Sequence, residues 1–265
     1  MNSMIFLVLL AAGCAGILLS FAQARSRGVF ARDGLTDPSR QMAAGALLGM
    51  VLLLTVAIPF AGGFAGGEGQ TRHLTILSLF AVHAILVAFL LCYYLLTRRQ
   101  ALADFLRLRS VRPVADLASG LWIGLAGWAL TVCVLLVVVV VWLLLRRRGL
   151  AAEGSAREIS PTILWLATRP LPVRVGIVLS AMVVEELFFR SFLQTRVGPV
   201  AATLMFTAAH GVYGQPLVLV GILVISTVLS IAFVIYGNVL PCIIAHGTFD
   251  AIQMFVLIPL ALKAA

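Results

Sequence analysis

Residues 121–145 read LWIGLAGWALTVCVLLVVVVVWLLL, a run of 25 residues without one charged side chain. A helix rises ~1.5 Å per residue, so such a run outreaches a bilayer core of ~30 Å. Seven further apolar runs flank it, at 4–22, 42–60, 74–96, 173–194, 197–213, 216–235 and 239–262. Turn formers separate them: Gly62, Gly63, Gly66 and Gly67, then Gly198 with Pro199, Gly214 to Pro216, and Gly237 with Asn238. Of the 265 residues, 62% are apolar and 11% charged, against about 25% charged in a soluble domain. One aqueous core cannot hide so much apolar surface. The predicted fold is all-α, a polytopic membrane bundle of about eight transmembrane helices. Too few residues lie between the runs to build a large soluble domain.

The net charge is +9, and Lys263 is the only lysine beside 18 arginines. That bias points to a GC-rich bacterial genome, hence a bacterial plasma membrane. The arginines lie between apolar runs, where they set orientation and meet anionic lipid. Arg25, Arg27, Arg32 and Arg40 follow the first run, and Arg98, Arg99, Arg107, Arg109 and Arg112 follow the third. These loops place both termini outside. Arg146, Arg147, Arg148, Arg157 and Arg169, after the fourth run, argue the opposite way. That loop also holds an apolar piece at 159–167, read as an interfacial or re-entrant helix. The lipid bilayer is the expected surrounding, and no nucleic-acid motif is present. Cys14, Cys92, Cys133 and Cys242 all fall inside apolar runs without a CxxC, and read as packing residues.

The first four runs carry almost no ionisable group at membrane depth; His83 is the exception. His73 and His83 match no motif and are read as structural. The later runs carry Glu185, Glu186, Arg190, His210, His246 and Asp250. A charge in hydrocarbon costs roughly 2.5–3.5 kcal/mol on insertion scales, so such groups face cavities and mark function. In Glu185-Glu186-Leu187-Phe188-Phe189-Arg190, Glu186 and Arg190 are four apart with the acid first, the favoured order for a helical pair. Glu185 is turned by ~100° and escapes the same arginine. One carboxylate is thereby neutralised while the other stays available as a general base. Phe206 and His210 share a helix face, as do His246 and Asp250, where the acid can fix the ring tautomer. Counted along their helices, Glu185, His210 and His246 reach one common depth from the same membrane side.

The order EExxxR, FxxxH, HxxxN/D on successive apolar helices resembles the CPBP family of intramembrane proteases, also called ABI or CAAX-protease-like. The resemblance covers roughly residues 173–255, and the decapeptide from Glu185 to Gln194 is close to the family's first motif. Asp250 stands where the family often has asparagine. The resemblance implies a membrane endopeptidase with its core at 151–265, in the last four helices, and residues 1–150 as helices one to four of unassigned role. It implies Glu185 as activator of water, His210 as holder of that water, His246 with Asp250 as stabilisers of the oxyanion, and Glu186 with Arg190 as supports. Members have been described as metalloproteases, so zinc is a possible cofactor, with His210 and His246 as its ligands. The implied partner is a membrane-associated protein or peptide substrate. A transporter or proton relay built on the same groups is an alternative, as is a catalytically silent bacteriocin-immunity member of the family.

Overall fold

A computed structural model describes residues 2–65, 75–97, 101–150 and 161–264. His73, Arg98, Arg99, Arg157, Gly66 and Gly67, invoked above, lie outside the described residues. Every regular element among those described is helical. The main helices are α1 (Asn2–Ser26), α2 (Pro38–Phe64), α3 (Ile76–Thr97), α4 (Pro113–Arg147), α5 (Pro161–Ala167), α6 (residues 171–197), α7 (Pro199–Ala209), α8 (Pro216–Tyr236) and α9 (Leu240–Lys263). Short helical turns at Val29–Arg32 and Leu102–Phe105 lie in the loops after α1 and α3.

Each of the eight expected runs is largely helical over its described residues, but they are not eight equivalent spans. Among the described residues, six helices are long and apolar enough to cross a membrane: α1, α2, α3, α4, α8 and α9. Helix α6 has the length but carries Arg174, Glu185, Glu186, Arg190 and Arg196. Helix α7 has 11 residues, about 16 Å of rise, and passes into a 3₁₀ turn at His210–Tyr213. The chain is a multi-pass membrane protein, and its polytopic helical fold is the one expected. Within the apolar piece expected as an interfacial or re-entrant helix, residues Pro161–Ala167 form α5, a helix of seven residues.

Local sequence sets the ends. Proline is the first residue of α2, α4, α7 and α8, where its missing N–H costs nothing. Asp37 caps α2 by accepting from the backbone N–H of Ser39. Gly198, at φ 92°, makes the sharp return from α6 to α7. The exposed leucines and valines of α4, such as Leu136, Val137 and Val140, suit a lipid-facing surface.

Two contacts place the later site. Along α4, Gly120, Gly124 and Gly127 are buried. A Cβ at Gly120 or Gly124 would stand 2.7 Å from a carbonyl oxygen of α9, at Pro241 and Ala245. The small residues let the two backbones touch, as membrane helices without a hydrophobic driving force require. On the other side an aromatic cluster locks α3 to α6. Phe89 lies 5.6 Å from Phe188 and 5.0 Å from Phe192, and Tyr93 lies 4.7 Å from Phe192, ring centre to ring centre. Contacts on both helices advance together, so α3 and α6 run parallel. The same register carries His83, one and a half turns earlier, to the level of Glu185.

Candidate active site

The EExxxR segment straddles a change of helix type. Residues Leu171–Glu186 are α-helical and Leu187–Gln194 form a π-helix. Such widened turns recur at functional sites because they re-aim side chains. Here the two adjacent glutamates point to different partners.

Glu186 and Arg190 are fully buried, with Arg190 Nε 3.3 Å from Glu186 Oε2. The atoms are close enough for an ion pair but are not aligned as a hydrogen bond, and both remain without one. Arg190 also donates to Ser226 Oγ at 3.3 Å and lies 4.5 Å over the Phe206 ring. Glu186 Oε1 is 2.9 Å from His246 Nδ1. One carboxylate thus ties α6 to α9.

Glu185 faces two histidines. Its Oε1 is 3.3 Å from His83 Nε2, and its Oε2 is 3.6 Å from His210 Nε2. His210 Nδ1 is 2.8 Å from the carbonyl of Phe206, an acceptor, so that nitrogen carries the proton. In the neutral ring Nε2 is then a lone pair, aimed at the carboxylate. Glu185 Oε2 is itself buried with no hydrogen-bond partner.

His246 is 5% exposed and meets a carboxylate on each nitrogen. Nδ1 faces Glu186, and Nε2 lies 3.4 Å from Asp250 Oδ2. The expected pairing of His246 with Asp250 is present but loose, and Glu186, from another helix, is the closer partner. The Phe206 ring joins the parts, 4.6 Å from the His210 ring and 5.8 Å from the His246 ring.

His83, which belongs to no motif, sits against Glu185 from α3, 102 residues away in the chain. Pairing between distant helices leaves no periodic trace in sequence. The hint available was that His83 is the one ionisable residue at depth in the first four runs.

The residues do not fit the zinc site considered for His210 and His246. Both nitrogens of His246 are engaged by carboxylates, so of the pair only His210, held through Nδ1 by the Phe206 carbonyl, keeps a ring nitrogen to offer. Among the described residues, no group of three or more His, Cys, Asp or Glu side chains is arranged to hold a metal ion.

The fold and this cluster define a polytopic membrane protein with acid–base groups gathered inside its bundle. Residues 167–252 match the family described as type II CAAX prenyl endopeptidase Rce1-like. The matched segment contains all three motifs, and the resemblance read from them is borne out. The match supports a CAAX-type intramembrane protease, and such a family implies a membrane-embedded protein substrate and a lipid environment. No curated protein and no solved structure matches the chain.

Proposed function

We propose that the protein is an intramembrane endopeptidase in which Glu185 activates water to hydrolyse a peptide bond of a membrane-associated protein or peptide. The observation that carries this reading is the facing of Glu185 Oε2 and His210 Nε2. Two acceptors 3.6 Å apart, one of them buried and unpartnered, need a donor between them. A water off that line can donate to both at hydrogen-bond distance, which is the geometry a general base requires.

In the reaction the water oxygen attacks the scissile carbonyl carbon while Glu185 takes its proton. His210 holds the water and is itself held by the Phe206 carbonyl. The developing oxyanion meets His246, whose Nε2 has only the loose contact with Asp250 to give up. The proton then passes from Glu185 to the leaving nitrogen, the C–N bond breaks, and a carboxylate and an amine remain. Glu186 and Arg190 keep His246 in place. His83 occupies the second oxygen of Glu185 and so fixes which oxygen faces the water. The arginine bias supports a bacterial plasma membrane as the location.

The test is cleavage of a tagged membrane substrate by the protein in lipid nanodiscs, with Glu185→Gln beside it. Cleavage by the wild type alone supports the reading. No cleavage of any member of a transmembrane peptide library, together with a proton flux in vesicles that Glu185→Gln abolishes, would replace it with a relay.

A further inference from the structure

A second polar site lies at the arginine-rich end of the bundle, away from the Glu185 cluster. A cavity of about 230 Å³ opens there, with Arg32, Asp33, Arg107, Ser191, Thr195 and Arg196 among its walls. A water's share of volume is ~30 Å³, so the space admits a group several times larger.

The charges in this cavity do not cancel. Asp33 Oδ2 accepts from Arg196 Nε at 2.8 Å and from the Tyr93 hydroxyl at 2.8 Å. Arg196 is otherwise engaged by the Phe192 carbonyl and Thr195 Oγ1, and it lies 4.0 Å over the Phe192 ring. Asp33 and Arg196 therefore neutralise each other. Arg32 and Arg107 are left over, both exposed, and neither is ion-paired among the described residues. Two guanidinium groups with no counter-charge at one cavity call for an anion.

The backbone at Arg107 is set by the end of the short helix Leu102–Phe105. It is the one non-glycine residue with positive φ among those described, at 51°. It ends that helix in a Schellman turn, with the N–H of Leu108 on the Ala103 carbonyl at 2.8 Å and its own N–H on the Asp104 carbonyl at 3.1 Å; Ser191 Oγ donates to the Leu106 carbonyl at 2.7 Å, and the N–H of Val239 to the Arg107 carbonyl at 2.9 Å. The pinned residue is the arginine at the cavity wall.

We propose that this cavity binds a phosphate group, held by Arg32 and Arg107 with Arg196 as its fixed base. The planar guanidinium matches phosphate oxygens in pairs, and basic pockets between membrane helices take anionic headgroups. The phosphate is carried by an anionic phospholipid or is free inorganic phosphate; the site chemistry is common to both. Because Arg32 follows α1, Arg107 follows α3 and Arg196 ends α6, the bound group joins three parts of the bundle. The site does not depend on the catalytic reading of Glu185.

The experiment is thermal unfolding of the whole protein under three conditions: nanodiscs of phosphatidylglycerol, nanodiscs of phosphatidylcholine, and detergent with inorganic phosphate against chloride at equal ionic strength. Saturating ligand should raise the melting temperature by about 5 °C. The variant carries Arg32→Gln with Arg107→Gly, since glycine accepts the left-handed backbone and spares the fold. Arg40→Gln serves as a surface-charge control. A rise with phosphatidylglycerol, or with phosphate alone, that the double variant loses and the control keeps supports the site and names its source. No rise in either arm, or a rise that the double variant retains, overturns it. If the double variant melts early in phosphatidylcholine, Arg32→Gln alone, on an exposed residue, is read in its place by the same criteria.

Discussion

His83 Nε2 stands 3.3 Å from Oε1 of Glu185, joining α3 to α6 at the carboxylate proposed as the base. The other ring nitrogen of His83 is buried without a partner, so the ring offers the site one hydrogen bond and nothing else. If that bond aims the carboxylate, the donor matters and the ring does not. His83→Gln, whose amide reaches as far as Nε2, should keep kcat within about fivefold, while His83→Leu should lose it on the order of 10²-fold, the range of a positioned base. KM should hold in both. Steady-state kinetics on one peptide substrate checks this, and equal loss in the two variants would make His83 merely structural.

Glu185→Gln should abolish cleavage and leave the melting temperature within a few degrees of wild type. The amide keeps the volume of the side chain but cannot take the proton of water, which removes a contribution of about 10²–10⁴-fold. Full activity of the variant in nanodiscs would remove Glu185 from the mechanism.

Glu186→Gln should behave the other way round, costing stability first. Glu186 lies 3.3 Å from Arg190 and 2.9 Å from His246, and it is fully buried. Its loss leaves a buried guanidinium uncompensated, at a cost of ~3–5 kcal/mol. Thermal unfolding should drop on the order of 10 °C. An unchanged melting temperature would mean that Glu186 does not neutralise Arg190 inside α6.

Much of this was legible from residues close together in the chain. The run at 121–145 gives a membrane helix directly, and the i, i+4 spacing of Glu186 and Arg190 places them on one side of α6. What was hidden depends on contacts between distant helices. The pairing of His83 with Glu185 follows from the parallel register of α3 and α6, which Phe89, Tyr93, Phe188 and Phe192 set by their ring contacts. The second role of Glu186, holding His246, needs α9 to return antiparallel beside α6. The length of α7 was overestimated because hydropathy does not register the 3₁₀ turn at His210.

Removal of metal should leave the activity intact. Of the two histidines considered for zinc, His246 meets a carboxylate on each nitrogen, and no group of three or more candidate ligands is arranged for a metal ion among the described residues. Exhaustive chelation, with metal analysis before and after, should change kcat by less than about twofold, against the 10²-fold scale of a lost catalytic group. Inactive apoprotein that one equivalent of zinc restores would require the two histidines to rearrange, and would overturn the water-activation scheme.

Gly63 and Gly211 supply the most local test of how the first helices serve the site. The end of α2 lies against the 3₁₀ turn that begins at His210, and there is no room between them for a side chain. A Cβ at Gly63 would overlap the Gly211 carbonyl, and one at Gly211 would come 2.5 Å from Cα of Phe60. Both neighbours are backbone, so neither can give way by a rotamer change. Gly63→Ala must therefore push the turn away from α2, and His210 is the first residue of that turn. A shift of about 1 Å in a catalytic group can cost on the order of 10²-fold in rate. The expected result is a loss of that order in kcat with cleavage at the same bond, while Gly49→Ala, whose Cβ meets nothing within 4 Å, leaves the rate unchanged. If Gly63→Ala cleaves as fast as wild type, α2 does not position His210.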